Sequence, residues 1–211
     1  MIEKEETFQE RAIRLLNLSD EEVLGLSGFY GVHKKSEIET IKPKITRINE
    51  VDFVKINISF KSSLIRQCNR EINIQNNAIS NNGFFSNRVI DRSGLLCLQS
   101  QIEFARKHQL KRIYLTAFRD EFYETGEYYN GYYSWGRYGF LMNRLDQQSE
   151  FLTMMHDHNY EETNIHDLVK YKQGRDFWVS IRTTWEGYFD LHLRSTSSLI
   201  FTDITNLLIK T

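Results

Sequence analysis

A glycine stands where the sequence predicts that an amphipathic helix begins, and this arrangement can bind an anion. From Gly94 to Phe118 the chain reads GLLCLQSQIEFARKHQLKRIYLTAF, and four apolar residues recur at helical spacing: Leu95, Leu98, Ile102 and Ala105. The first turn of a helix leaves backbone N–H groups without internal partners and is the positive end of the helix dipole. The turn at Ser93–Gly94 can therefore hold a group such as a pyrophosphate. The same pattern also fits a helix that packs on a sheet and binds nothing.

A second candidate stretch is the aromatic run from Tyr128 to Phe140, YYNGYYSWGRYGF. Aromatic side chains at this density can stack nucleobases. They can also seal a sheet, since each buries about 150–250 Å² in a typical protein. The formal net charge is −1 over 211 residues, with both signs interspersed, so electrostatics gives no argument for a nucleic-acid partner. We therefore interpret the run as a packing element and expect no nucleic acid.

Motifs for metal binding and for nucleophilic catalysis are weak in this sequence. His156-Asp157-His158 lies in a predicted helix, where residues two apart point in different directions and form a poor metal-binding face. We therefore predict no metal site. The sequence contains neither a G-x-S-x-G motif nor a P-loop. Cys68 and Cys97 lack metal-ligand spacing and are predicted to be buried, unbridged thiols in a reducing compartment.

Helices are predicted near both ends of the chain. Two capping boxes precede apolar stripes and predict two N-terminal helices: Thr7 with Glu10, and Ser19 with Glu22. The second of these helices is expected to end near Gly28. A helix is also predicted from Leu145 to Tyr160, and another from Ser195 onward. Between residues 29 and 49 the pattern is poor, and Pro43 disfavours a regular helix there.

Strands are predicted where apolar residues alternate or where β-branched and aromatic residues run together. The predicted strands are Val54–Phe60, Ile72–Ile74, Phe84–Ile90, Ile113–Phe118, Phe177–Ile181 and Trp185–Leu191. Asn82–Gly83 predicts a tight turn that pairs the second and third of these strands antiparallel. The helix from Gly94 then joins two strands, for which a right-handed βαβ unit is the default geometry.

We predict a fold of the α/β class (α+β type), with a mixed, mostly antiparallel central sheet, one parallel pair and helices on both faces. The length fits a single domain over residues 1–211. Residues 1–50 are expected to be an N-terminal helical part, 51–140 the core with the loop before Gly94, and 141–211 a C-terminal helix and strands. The charged N-terminus MIEKEETFQE lacks an apolar signal core and no window approaches a membrane span. We therefore expect a cytoplasmic protein without a membrane partner.

The stretch from Arg70 to Phe140 resembles the GCN5-related N-acetyltransferase (GNAT) superfamily, so the predicted fold is GNAT-like. The shared features follow in the family's order: a hairpin, a glycine-opened helix, a strand ending in Thr116-Ala117, and a terminal aromatic-x-x-x-Gly-Phe motif from Trp135 to Phe140. The resemblance implies that acetyl-CoA is the cofactor. In the family its pyrophosphate lies on backbone amides of the loop before the helix, and its pantetheine arm lies between two splayed parallel strands.

The resemblance also implies which residues take part. The cofactor-binding residues would be Val89, Ile90, Arg92, Ser93, Gly94 and Leu95. The family's loop motif, Gln/Arg-x-x-Gly-x-Gly/Ala, falls on Val89, Arg92 and Gly94, and only Gly94 keeps a family residue. The guanidinium of Arg92 can instead pair a phosphate. Many members have a tyrosine that protonates the departing thiolate where this sequence has Trp135, so Tyr133 and Tyr132 are the candidate catalytic acids.

Two functions follow from the resemblance. The first is an acyl-CoA-dependent N-acyltransferase whose acceptor, a small-molecule or peptide amine, is not identified by the sequence. The second is a GNAT-fold binding or interaction module that has lost acyl-CoA use, and the departures at Val89 and Arg92 motivate it. The sequence leaves open whether the protein is a homo-oligomer.

Overall fold

The chain divides into two compact units, Met1–Ile113 (unit 1) and Tyr114–Thr211 (unit 2), which are described in turn. A computed structural model describes residues 6–28, 37–40, 44–48, 51–61, 65–86, 93–118, 131–181 and 183–209. The fold is α+β, and its mixed sheet includes one parallel pair of strands. None of the helices within these ranges combines the length and the apolar character needed to span a bilayer.

Unit 1 begins with the two predicted helices, α1 (Phe8–Leu16) and α2 (Asp20–Leu26). Both predicted capping boxes are confirmed. In the second box, the Ser19 backbone N–H donates to Glu22 Oε2 at 2.9 Å, and the Glu22 N–H donates to Ser19 Oγ at 3.3 Å. The boxes supply partners for N–H groups that the first helical turn leaves unpaired. The chain leaves α2 through Gly28, which has a φ of +89°, a conformation that favours glycine.

Five strands follow in unit 1: β1 (Glu37–Thr40), β2 (Lys44–Ile48), β3 (Val51–Lys61), β4 (Ile65–Asn73) and β5 (Ala78–Ser86). Their order is β1-β3-β4-β5, with β2 also paired to β3, and the pairs in this group are antiparallel. The alternating Val54–Phe60 segment lies within β3, as predicted. The expectation of a helical part over residues 1–50 did not include strands, and two strands lie in its second half.

The β4–β5 hairpin is antiparallel, as predicted, but its turn lies elsewhere. Asn82–Gly83 is inside β5, where Gly83 lies opposite Asn69. The chain reverses at residues 74–77 instead, between Asn73 and Ala78. There the Asn76 N–H donates to Asn73 Oδ1 at 2.9 Å, and Asn77 has a φ of +50°. Asparagine tolerates this left-handed conformation, so the turn forms at Asn76–Asn77 and not at Asn82–Gly83.

Helix α3 (Ser93–Lys107) and strand β6 (Arg112–Ala117) match the prediction for the segment after Gly94. Leu95, Leu98, Ile102 and Ala105 are buried, and Gln99 and Glu103 are exposed. In β6 the alternate residues Ile113, Leu115 and Ala117 are buried. The boundary between the two units falls inside this strand.

Unit 2 continues with α4 (Gly131–Arg137), β7 (Leu141–Met142), α5 (Leu145–Asp157), α6 (Ile165–Leu168), α7 (Lys172–Ile181), β8 (Trp185–Asp190) and α8 (Thr196–Ile209). The strand order in this unit is β6-β8-β7, and β7 pairs antiparallel with β8. The predicted helices from Leu145 and from Ser195 and the predicted strand from Trp185 are confirmed.

The prediction of a strand over Phe177–Ile181 was wrong, because this segment is the end of α7. Gly174 and Trp178, four residues apart, are buried on one face of that helix. The Trp178 ring packs edge-on against Phe151, with centroids 5.6 Å apart. The short apolar run was compatible with either structure, and the helical spacing of the buried residues decides in favour of the helix.

The described part of the aromatic run packs into the core of unit 2. Trp135 and Phe140 meet edge-on with ring centroids 5.4 Å apart, and Phe140 meets Phe189 in the same way at 5.5 Å. Phe140 is only 2% exposed. These rings therefore have the packing role that the sequence predicts for the run. Gly139, with a φ of +95°, lets the chain turn from α4 into Phe140.

Candidate functional site

The residues predicted to bind the cofactor lie around the start of α3. Val89, Ile90 and Arg92 are outside the described residues, and Ser93 is the first residue of the helix. Gly94 is half-buried, and the Leu95 side chain is 5% exposed. The Leu95 side chain is therefore buried, and what its position offers a ligand is the backbone N–H. The first turn of α3 contains no acidic side chain, so no carboxylate of its own offsets the positive end of this helix.

Gly94 differs from Gly25 and Gly28 in what surrounds it. A Cβ added to Gly28 would lie 2.5 Å from the carbonyl oxygen of Cys97, and one added to Gly25 would overlap the Phe104 ring. A Cβ added to Gly94 would meet no atom within 4 Å. The packing of α2 against α3 thus requires glycine at positions 25 and 28. It does not require glycine at the start of α3, where the space beside the backbone is open.

Tyr133, one of the two predicted acids, lies on the wall of a cavity of about 910 Å³ in unit 2. The volume is within the range of small-molecule sites, about 300–1,000 Å³. The lining residues come from α4, from the segment spanning α6 and α7, and from α8: Tyr133, Arg137, His166, Val169, Lys170, Arg175, Asp203, Ile204, Asn206 and Leu207. The side chain of Tyr132, the other predicted acid, is outside the described residues.

His166 on this cavity is held with one ring nitrogen available. Its Nδ1 lies 3.1 Å from the carbonyl oxygen of Arg137, and because a carbonyl only accepts, Nδ1 carries the proton that it donates. The neutral ring then has its lone pair on Nε2. Burial lowers the pKa of His166 below its ordinary value of 6.5, although the Arg137 carbonyl opposes this effect. The neutral form, which can accept a proton, is favoured.

The short helix α6 fixes the position of His166. Asn164 caps the helix, since its Oδ1 accepts from the Asp167 backbone N–H at 3.0 Å and its Nδ2 donates to Asp167 Oδ2 at 2.7 Å. Ile165 and Leu168 on the same turn are buried. With the cap on one side and the apolar anchors on the other, the ring of His166 is placed by the fold and not by a flexible loop.

Two of the basic groups of the cavity already have partners in the protein. Lys170 Nζ lies 2.6 Å from Asp167 Oδ1. Arg175 Nη1 donates to the carbonyl oxygens of Val169 and Lys170 at 3.3 and 3.0 Å. By contrast, the side chains of Arg137 and Asp203 make no hydrogen bond or ion pair with any residue that the structure describes. Among the described residues, the cavity therefore presents two guanidiniums without a carboxylate partner, those of Arg137 and Arg175, and one carboxylate without a cationic partner, that of Asp203.

The sequence did not predict His166, and no local pattern pointed to it. Its hydrogen-bond partner is 29 residues away in the chain. His156-Asp157-His158, which the sequence did flag, is exposed at the end of α5. Within the described ranges, no three His, Cys, Asp or Glu side chains are grouped so that they could hold a metal ion. Cys97 is a buried thiol, as predicted, and the side chain of Cys68 is outside the described residues.

Comparison with known proteins adds no relative. No protein-family model, curated protein or solved structure matches this chain. The GNAT resemblance therefore rests on the sequence motifs, and the site rests on its own geometry.

Proposed function

We propose that this chain is a cytoplasmic, acyl-CoA-dependent N-acyltransferase with a GNAT-like sheet covered by helices on both faces. One observation carries the proposal. Gly94 opens α3 beside free space, although nothing in the packing of unit 1 requires a glycine there. A ligand that lies against the backbone N–H groups of the first helical turn explains the glycine, because any Cβ would separate the two. An acyl-CoA pyrophosphate is the ligand that the resemblance implies for this position.

In the reaction, an amine nitrogen bonds to the acyl carbon of the thioester and the C–S bond breaks. The nitrogen loses a proton, and the thiolate of CoA gains one. We assign the thiolate's proton to the hydroxyl of Tyr133, which has no hydrogen-bond partner among the described residues. We assign the amine's proton to Nε2 of His166 on the same cavity. Tyr132 remains the alternative acid.

The proposal is tested first as binding. Acetyl-CoA should raise the melting temperature of the full chain in a concentration-dependent way, because a ligand that binds only the folded state stabilises it. The Gly94→Asp variant should lose this shift, since its carboxylate would lie beside the pyrophosphate. The same variant should melt no lower than the parent, because an acidic residue in the first turn of a helix is favourable by about 0.3–1 kcal/mol. We therefore expect the variant to lose acetyl-CoA binding while its fold is preserved.

The Arg92→Gly variant separates the acyltransferase from a binding module that no longer uses acyl-CoA. If Arg92 pairs a phosphate, its removal should weaken acetyl-CoA binding by about 1.5–3 kcal/mol. Binding that appears only in Arg92→Gly would instead identify a site that this side chain blocks, and the parent would then be the module. Tyr133→Phe addresses the chemistry: transfer measured by mass spectrometry should slow by about 10²–10⁴-fold while acetyl-CoA still binds. Unchanged transfer would remove Tyr133 from the mechanism.

A further inference from the structure

The unit 2 cavity carries charges that the fold itself does not use. Arg137 and Asp203 both line it and have opposite charge, and neither side chain makes a hydrogen bond or ion pair with a described residue, although the charge of Asp203 acts to raise the pKa of His166. Lys170 is compensated by Asp167, whereas Arg175 donates to its two carbonyl acceptors only through Nη1 and keeps the N–H groups of Nε and Nη2. A ligand that pairs with the charged side chains of this cavity needs an anionic group for the guanidiniums and a cationic group for the carboxylate.

Part of the same wall is apolar. Val169 and Ile204 are 4% and 9% exposed, so they present only a small, fixed apolar surface to the cavity. Leu207 and the half-buried ring of Tyr133 extend this surface. Small-molecule sites combine such apolar lining with a few polar groups that fix orientation. A ligand with an aliphatic or aromatic portion as well as its two charges therefore matches the lining.

We propose that this cavity binds an α-amino acid with an apolar side chain. Its carboxylate pairs with the guanidinium of Arg137, whose planar fork matches two carboxylate oxygens. Its amino group lies toward Asp203 and Nε2 of His166, and its side chain lies against Val169 and Ile204. That this amino acid is the acceptor substrate rests on the proposed acyltransferase function. Its binding to the cavity does not depend on that function.

A zwitterion fits these residues better than a simple anion does. A phosphate would meet the guanidiniums of Arg137 and Arg175, but it would also meet the carboxylate of Asp203, and like charges in one site repel. A simple amine would pair with Asp203, but the guanidinium of Arg137 would repel it. A ligand with both groups gives a partner of opposite charge to Asp203 as well as to Arg137.

The test is a thermal-shift titration of the full chain with four probes at equal ionic strength and millimolar concentration. The probes are L-leucine, L-leucinamide without the carboxylate, 4-methylpentanoate without the amine, and inorganic phosphate. L-leucine should raise the melting temperature, and each of the other three should raise it less. If L-leucine has no effect, or if phosphate stabilises more than L-leucine does, the proposal is overturned.

Matched variants locate the binding. Arg137→Gln and Asp203→Asn should each weaken L-leucine binding by about tenfold or more, the scale of a lost hydrogen bond to a charged group. Arg194→Gln removes an exposed arginine of unit 2 outside the cavity lining and should bind as the parent does. Parent-like binding by Arg137→Gln would contradict the assignment.

An acetyl-CoA arm in the same titration keeps the two proposals distinct. If L-leucine stabilises the chain and acetyl-CoA does not, the acyltransferase proposal fails and the amino-acid site stands. If acetyl-CoA stabilises the chain and L-leucine does not, the acyltransferase stands and the amino-acid site fails.

Discussion

The buried polar network of unit 1 and the cavity of unit 2 use polar side chains in opposite ways. In unit 1, Gln101 is 2% exposed, and its amide donates to the Leu26 carbonyl at 2.8 Å and pairs with the Asn81 amide at 2.9 Å. Arg11 and Arg14 donate in the same manner to carbonyls far along the chain, those of Ile74 and His108. In unit 2, the side chains of Arg137 and Asp203 face a cavity and bond to no described residue. Polar groups in unit 1 hold elements together, whereas those of the cavity are available to a ligand.

The largest effect should come from breaking the unit 1 network. Gln101→Ala leaves the Leu26 carbonyl and the Asn81 amide buried without their partner, and each such group costs about 1–3 kcal/mol. We therefore expect the free energy of unfolding to fall by about 2–6 kcal/mol. Arg137→Gln should change the free energy of unfolding by less than about 0.5 kcal/mol, because the Arg137 side chain holds no other element in place. Chemical denaturation of both variants measures the two losses of stability. Equal losses would contradict the contrast between the unit 1 network and the cavity.

A loss of comparable size is expected at Gly28. Alanine there would need a φ of +89° and would put its Cβ 2.5 Å from the Cys97 carbonyl oxygen. Left-handed strain and overpacking each cost about 1–3 kcal/mol, so Gly28→Ala should lower the denaturation midpoint clearly. Gly94→Ala is the matched control, because its Cβ meets nothing and alanine favours the helix. If both variants lost stability equally, Gly94 would be a packing residue and the argument for a ligand would end.

The smallest effect concerns Glu22 in the second capping box. The Ser19 backbone N–H, more than the Ser19 hydroxyl, Lys107 and His108, lowers the pKa of Glu22 from 4.5 to about 2. Its folded-state pKa is below the unfolded value, so its contribution is present above 4.5 and is lost as the pH falls toward about 2. Glu22→Gln should flatten the acid limb of the stability curve, measured as denaturation midpoint against pH. The neighbouring exposed Glu21→Gln serves as control, and an acid limb unaltered in Glu22→Gln would refute the assignment.

Local signals predicted the parts of the fold that local interactions decide. The capping boxes and the buried face of α3 depend on residues within a few positions of each other, and both were predicted. The turn signal at Asn82–Gly83 failed because strand pairing runs through it, and Asn77 could adopt the left-handed turn instead. The strand prediction for Phe177–Ile181 failed because a short apolar run has no periodicity of its own.

The candidate site was predicted in part for the same reason. Gly94 and Tyr133 belong to motifs that are read along the chain, and the sequence singled out both. His166 depends on a carbonyl of α4 and on a four-residue helix capped by Asn164, so only the folded unit reveals it. Arg137 on α4 and Asp203 on α8 line one cavity although they are far apart in the chain, and no local sequence pattern indicates this.

The central claim is that the start of α3 binds acyl-CoA, and calorimetry tests it most directly. Acetyl-CoA is titrated into the parent and into Gly94→Asp, with the unfolding midpoint of each protein measured in the same buffer. We predict saturable binding by the parent, loss of that binding in the variant, and a variant midpoint at least equal to the parent's. No heat with the parent at millimolar acetyl-CoA, or equal affinity in both proteins, would contradict it.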